Sequence, residues 1–319
     1  MDYQEDTDEL LDQNKELESQ TPLPPLTQWE NICSCCGLQY NYVPATDERY
    51  INHWKIQYGF PIGVEFVIIS SYLVAILVHR PNVSFIGPKT TFFLTVFMIL
   101  FAYSYVATIL VGPGYLPFYF PMKLSQGPTR PDYLSGMVTR GDQLDYSKSQ
   151  KFPNRTRFFN SASRYVIRPD HLCAWVTSFI GKKNHKLFFL FNFWGVIYIT
   201  LFCYCCIRTI VETIFTIGPD TAVFFAIVFL YTALGFSFLF LTGNFTQQNI
   251  RQITLNRTQF EIMKDMPALL HRKYPWYRNW EEVFGSISEW YLWLIPIPAF
   301  RGIDDYSLSV LKSPADKHL

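Results

Sequence analysis

Asp170, His171 and Cys173 fall within one short stretch, RPDHLCAWV, at residues 168–176. Those residue types at that spacing suit nucleophilic acyl transfer. A thiolate is the attacking species, and a free cysteine thiol has a pKa of roughly 8.5, so something nearby must take its proton. An imidazole two positions away can do so. A carboxylate next to the imidazole orients it and stabilises its charged form. The competing reading is a buried structural cysteine beside a solvated Asp–His pair. Leu172 stands between imidazole and thiol, and the loop that holds Cys173 has no second cysteine. A zinc site there would need several Cys or His ligands.

The elements that position this group are legible in the hydropathy. Four apolar runs reach the bilayer-spanning length of about 20 residues. They lie near Phe60–Val78, Phe92–Val111, Leu187–Ile207 and Ala222–Leu241, and only Glu65 places a charge inside one. In lipid the backbone must satisfy its own hydrogen bonds, so these runs predict helices. The expected fold is an all-α integral membrane protein with four transmembrane helices and a catalytic loop between helices 2 and 3. The expected segments are an acidic N-terminal tail (1–57), helices 1 and 2 (58–111), the loop (112–186), helices 3 and 4 (187–242) and a C-terminal segment (243–319).

Charge sets the expected orientation. Residues 112–186 carry twelve Lys and Arg against four Asp, whereas the short connections near 79–91 and 208–221 hold only Arg80, Lys89 and Arg208. The positive-inside rule then makes the long loop and both termini cytosolic. The acidic start, MDYQEDTDELLDQNKELESQ, lacks the basic and apolar pattern of a signal peptide and predicts a cytosolic, disordered tail. A net charge of +1 gives no general attraction to nucleic acid. The sequon Asn82-Val83-Ser84 falls in a short connection, close to the membrane, and is expected to go unused.

The other cysteines divide in two. Cys203, Cys205 and Cys206 lie toward the far end of the third run and are expected to pack. Cys33, Cys35 and Cys36 precede the first run, either as acylation sites or as part of a tail packed on the membrane domain. Glu65 is a functional suspect as an acid within a span; the alternative pairs it with headgroups or a basic loop residue. The aromatic run ISEWYLWLIPIPAF, broken by Pro296 and Pro298, predicts an interfacial segment.

RPDHLCAWVTSFIGKKNHKLFFLF resembles the core of the DHHC protein S-acyltransferases, R-x-D-H-H-C-P-W-x-x-N-C-x-G-x-x-N-x-x-x-F. Asp170, His171, Cys173, Trp175, Gly181, Asn184 and Phe188 match it. VGPGYLP (111–117), LNRTQFE (255–261) and YRNWEEVFG (277–285) resemble the family's Asp-Pro-Gly, Thr-Thr-x-Glu and Asn…Val-Phe-Gly motifs. VGPG and DDYSLSV resemble its endoplasmic-reticulum subfamily. The resemblance covers roughly residues 55–310.

It implies a two-step transfer of a long acyl chain from palmitoyl-CoA to cytosol-facing cysteines of membrane proteins, at the endoplasmic reticulum or Golgi. Cys173 would carry the acyl group, His171 would move the proton and Asp170 would hold His171. Thr258 would brace the Asp, Glu261 and Asn279 would anchor the C-terminal segment, and Trp175 would lie beside the acyl chain. Lys151 and Arg155 are candidates for the CoA phosphates, against a plain positive-inside role.

The departures concern metal. The family's loop holds two zinc ions, yet Phe158, Phe159, Ala162, Tyr165, Leu172 and Phe179 stand where its ligands would be. No metal and no cofactor are therefore expected, with buried aromatics replacing part of what zinc contributes. Loss of those ligands also feeds an alternative, a catalytically inactive relative acting as a membrane scaffold or acyl-chain binder. Retention of Asp170, His171, Cys173, Thr258 and Asn279 argues against it. A four-span transporter would place polar residues at mid-depth, and the runs hold few.

Overall fold

The computed structural model describes residues 30–33, 38–43, 48–51, 54–56, 59–82, 86–116, 155–159, 161–162, 164–214, 222–266, 277–303 and 305–310. The first of these form a four-stranded antiparallel meander, β1 (Glu30–Cys33), β2 (Leu38–Val43), β3 (Glu48–Ile51) and β4 (Trp54–Lys55), in the order β1-β2-β3-β4. These strands fall within the segment 1–57 expected as an acidic tail, for which the sequence predicts no element.

Four helices are long and apolar enough to cross a membrane. The first is α1 (Phe60–Val74), which continues through a π-helical turn at Ala75–His79 to Asn82. The others are α2 (Pro88–Val111), α3 (His185–Thr213) and α4 (Ala222–Thr254). They occur where the apolar runs placed them, and α4 extends well past its run. Proline stands in the first turn of both α1 and α2, where its missing N–H costs nothing. Gly112 ends α2 with φ 67°, a conformation that favours glycine.

The third helix is the centre of the bundle and packs along both α2 and α4. Glycines allow the close approach. A Cβ at Gly195 would lie 2.8 Å from the Phe101 ring, and one at Gly235 would lie 2.8 Å from Cys203 Sγ. Between them Phe101 stacks on Phe191 at 5.1 Å. Cys203, Cys205 and Cys206 are buried in this packing, with Cys206 Sγ 3.4 Å from His79 Nε2.

The long loop adds two hairpins, so the chain is mostly rather than wholly helical. β5 (Arg157–Phe159) pairs with β6 (Arg164–Val166), and β7 (His171–Cys173) pairs with β8 (Ser178–Ile180). After α4 the chain forms α5 (Gln259–Met263), α6 (Tyr277–Phe284), a 3-10 stretch at Ile287–Leu292 and α7 (Asp305–Val310). In the aromatic C-terminal run, Trp290, Tyr291, Leu294 and Ile295 are exposed, as an interfacial segment requires.

Candidate active site

The spacing of two between His171 and Cys173 is explained by a strand rather than by a turn. Both belong to β7, and residues i and i+2 of a strand share a face. Leu172 between them takes the other face and is 58% exposed. It does not separate the imidazole from the thiol. Pairing with β8 fixes the register, His171 opposite Ile180 and Cys173 opposite Ser178.

His171 Nδ1 donates to Asp170 Oδ2 at 2.8 Å, and the Cys173 sulfur, on the same face of β7, is near enough to act on the ring electrostatically. Asp170 and Cys173 are buried, and His171 keeps partial exposure. Burial alone would lower the basicity of His171. The hydrogen bond and charge of Asp170, with the nearby Cys173 sulfur, outweigh it and push the imidazole up to about 10. Burial likewise works against the charge of Asp170. The imidazoles of His185 and His171 and the Gln259 N–H more than offset it, so the carboxyl is held well below its usual range.

The brace on Asp170 comes from α5. Its Oδ1 accepts the Gln259 N–H at 2.8 Å, and its backbone carbonyl accepts the Phe260 N–H at 2.8 Å. Both donors belong to the first turn of a helix, where N–H groups lack intrahelical partners and favour an anion. Thr258 therefore acts on Asp170 at one remove. It caps α5, accepting the Glu261 N–H, while the Glu261 carboxylate accepts the Thr258 N–H.

Arg155 is tied down, contrary to its candidacy for CoA phosphate. Its guanidinium makes a two-pronged ion pair with Glu261, and Nη1 donates to Asn256 Oδ1 at 2.9 Å. Glu261 thus fastens α5 to the catalytic loop. Asn279 instead donates to the Thr254 carbonyl at 2.8 Å and fastens α6 to the end of α4. Lys151 lies outside the described residues. Glu65 stands in α1 with Oε1 buried and without a hydrogen-bond partner among the described residues.

Beneath the site the bundle encloses an apolar cavity. Trp175, Phe188 and Phe245 line it, as do Ser71, Tyr198 and Phe202. The Phe188 ring touches the His171 ring at 5.2 Å, edge to face, so one wall runs up to the imidazole. Phe188 and Phe202 are 14 residues apart on α3, about 21 Å along the helix axis at 1.5 Å per residue. The Ser71 and Tyr198 hydroxyls meet across the cavity wall at 2.8 Å.

Several supports carried no signature in the sequence. Gln259 acts through its backbone. Tyr105 donates to the Trp175 carbonyl at 2.7 Å, and Trp54 of β4 donates to Thr177 Oγ1 at 2.9 Å in the turn after Cys173. Arg168 donates from Nη1 to His185 Nδ1 at 3.0 Å, which leaves the proton of that ring on Nε2, facing Asn249 Oδ1 at 3.0 Å. The Arg of the core motif was the one available hint.

The places where the resemblance would put zinc ligands hold no ligand set. Phe159 packs on Phe179 at 4.6 Å with Ala162 alongside, and Phe158 packs on Tyr165 at 5.4 Å. Among the described residues, no group of three or more His, Cys, Asp and Glu could hold a metal ion. These side chains do not fit zinc.

Residues 140–266 match the family model described as DHHC palmitoyltransferase. The chain is 25% identical to "Probable protein S-acyltransferase 12" of Arabidopsis thaliana over 238 residues, 68% of this chain and 76% of that protein. It is 25% identical to "Probable protein S-acyltransferase 14" of the same plant over 72% of this chain and 80% of the relative. With "Palmitoyltransferase ZDHHC2" of Danio rerio it shares 23% identity over 78% and 76%. The matched region takes in the Asp–His–Cys strand, the helix that holds the Asp and two of the spans that line the cavity, and over it the chain is similar to the DHHC palmitoyltransferases.

Proposed function

We propose that this membrane protein is a protein S-acyltransferase working through an acyl-Cys173 intermediate. The Cys173 thiol gives its proton to His171 and attacks the thioester carbonyl of a long-chain acyl-CoA such as palmitoyl-CoA. The C–S bond to CoA breaks, and the departing thiolate takes the proton back from His171. A cysteine of a protein substrate then gives its proton to His171 and attacks the Cys173 thioester. The acyl group moves to it, and Cys173 recovers the proton.

One observation carries the reading. His171 is bonded to Asp170 and shares one face of β7 with Cys173, at the rim of an apolar cavity whose wall includes Trp175 and Phe188. An acyl chain fills that cavity while its polar CoA head stays outside. The basic loop supports a cytosolic site acting on cytosol-facing cysteines of membrane proteins. The VGPG and DDYSLSV stretches favour the endoplasmic reticulum or Golgi. The loop works without zinc, because Phe158, Phe159, Ala162, Tyr165 and Phe179 offer it no ligands.

Purified protein incubated with labelled palmitoyl-CoA is expected to take up hydroxylamine-sensitive label and pass it to a cysteine-bearing membrane protein. Cys173→Ser should abolish both steps. Folded wild-type protein that takes no label would favour the scaffold reading instead.

A further inference from the structure

Three lysines crowd the start of α3, in the run Lys182-Lys183-Asn184-His185-Lys186. A helix N-terminus is the positive end of the helix dipole and disfavours cations. By sequence these lysines are ordinary loop charges. The structure gives each a partner in the C-terminal segment. Lys182, 7% exposed, donates from Nζ to the Glu282 carboxylate at 2.6 Å and to the Glu282 carbonyl at 2.9 Å, and lies 4.5 Å over the Phe300 ring. Lys186, 2% exposed, donates to the Leu292 carbonyl at 2.8 Å. Lys183 pairs with Asp305 of α7 at 2.7 Å.

Two of these lysines are also fastened to the catalytic loop by their backbone. The Lys182 N–H donates to the Ile167 carbonyl at 2.8 Å, and the Lys183 N–H to the Pro113 carbonyl at 3.1 Å. Beyond Asp305, Leu308 of α7 is buried against Leu116, Tyr165 and Ile167, with Phe158 and Phe300 alongside. Phe158 and Tyr165 are two of the places where a zinc ligand would stand. The C-terminal helix thus closes one of the apolar clusters that occupy the metal positions.

We infer that residues 277–310 brace the catalytic loop in place of a metal, with Lys182, Lys183 and Lys186 as positioning residues that hold the brace. Small loops of this kind cannot bury enough surface alone and need an outside support. Here the support is an apolar cap on the β5–β6 hairpin and three cationic anchors, of which Lys182 and Lys186 are buried. The order of the hairpin depends on the far C-terminus and not on a bound ion. This inference rests on the metal-free reading of the loop.

Backbone hydrogen exchange of residues 157–166 in full-length protein tests it. Leu308→Ala should speed exchange there about tenfold, as should Lys183→Asp, while α2 and α3 stay protected. The swap Lys183→Asp with Asp305→Lys should recover most of the protection, since the pair is partly exposed and can be reversed. A strong chelator should leave wild-type exchange unchanged. Unaltered exchange in both single variants overturns the inference, as does wild-type protein whose hairpin loosens when metal is stripped. Acylation of Cys173 is scored separately on the same samples. A wild type that behaves as expected in exchange but takes no acyl label keeps the brace and loses the transferase.

Discussion

The Asp170 carboxylate receives the backbone N–H of Gln259 at 2.8 Å, from a residue 89 positions further along the chain. That bond separates what the backbone and the side chain of Gln259 do. Gln259 is the first residue of α5, where proline is well tolerated, and Thr258 before it is extended at φ −78° and ψ 162°, as a pre-proline residue must be. Gln259→Pro should keep α5 and delete the donor. Hydrogen bonds to a charged group contribute about 1.5–3 kcal/mol, so acyl-enzyme formation should slow by roughly 10- to 100-fold. Gln259→Ala keeps the N–H and should stay near wild type. Comparing the two initial rates at saturating acyl-CoA checks this. Equal losses would show that the side chain matters and the N–H does not.

Asp170→Asn tests the electrostatics of the pair. The Asp170 carboxylate is a main reason that His171 holds its proton up to about pH 10. Without it the buried ring loses basicity and no longer draws the proton from Cys173 near neutrality. Acylation at pH 7 should fall by about 10²–10⁴, the usual contribution of a positioned acid–base group. The variant should also gain rate steeply as pH rises, where wild type is nearly flat. A pH–rate profile of the first turnover decides it.

Stability should follow the same group. The folded protein keeps the His171 proton to about 10, whereas an unperturbed histidine releases it near 6.5. The folded state therefore binds more protons between those values, and stability falls with rising pH across that window. The contribution is complete below about 6.5 and lost as pH passes about 10. The gap in Tm between wild type and His171→Gln should narrow over that range. A constant gap would remove the charged imidazole from the account.

The cavity sets a length. Phe202 is the lining residue of α3 furthest from Phe188 and His171. Phe202→Ala should deepen the far end and shift preference toward longer acyl-CoAs, while leaving the rate with the wild-type favourite within a few-fold. Competition among acyl-CoAs of graded length reads this directly. A preference unchanged in the variant would mean that the chain lies elsewhere.

What the sequence disclosed follows from how far each interaction reaches along the chain. The four spans were visible because each is one uninterrupted apolar run. Asp170, His171 and Cys173 were visible because a single strand carries both His171 and Cys173, with Asp170 just before it. Leu172 looks like an interruption only in the linear sequence. In a strand it faces away. Gln259 stayed hidden because a backbone N–H has no side-chain signature. Arg155, Lys182 and Lys186 resembled topology charges because their acidic or carbonyl partners are about 100 residues away. The β1–β4 meander was lost beside an acidic tail that dominates its composition.

The central claim is that Cys173 carries the acyl group in a loop without metal. Peptide mass spectrometry of chelator-treated, metal-assayed protein after incubation with palmitoyl-CoA tests both halves at once. The account predicts a hydroxylamine-labile palmitoyl group on Cys173 in protein holding far less than one zinc per chain. An unmodified Cys173 in folded protein, or acylation that returns only when zinc is restored, would contradict it.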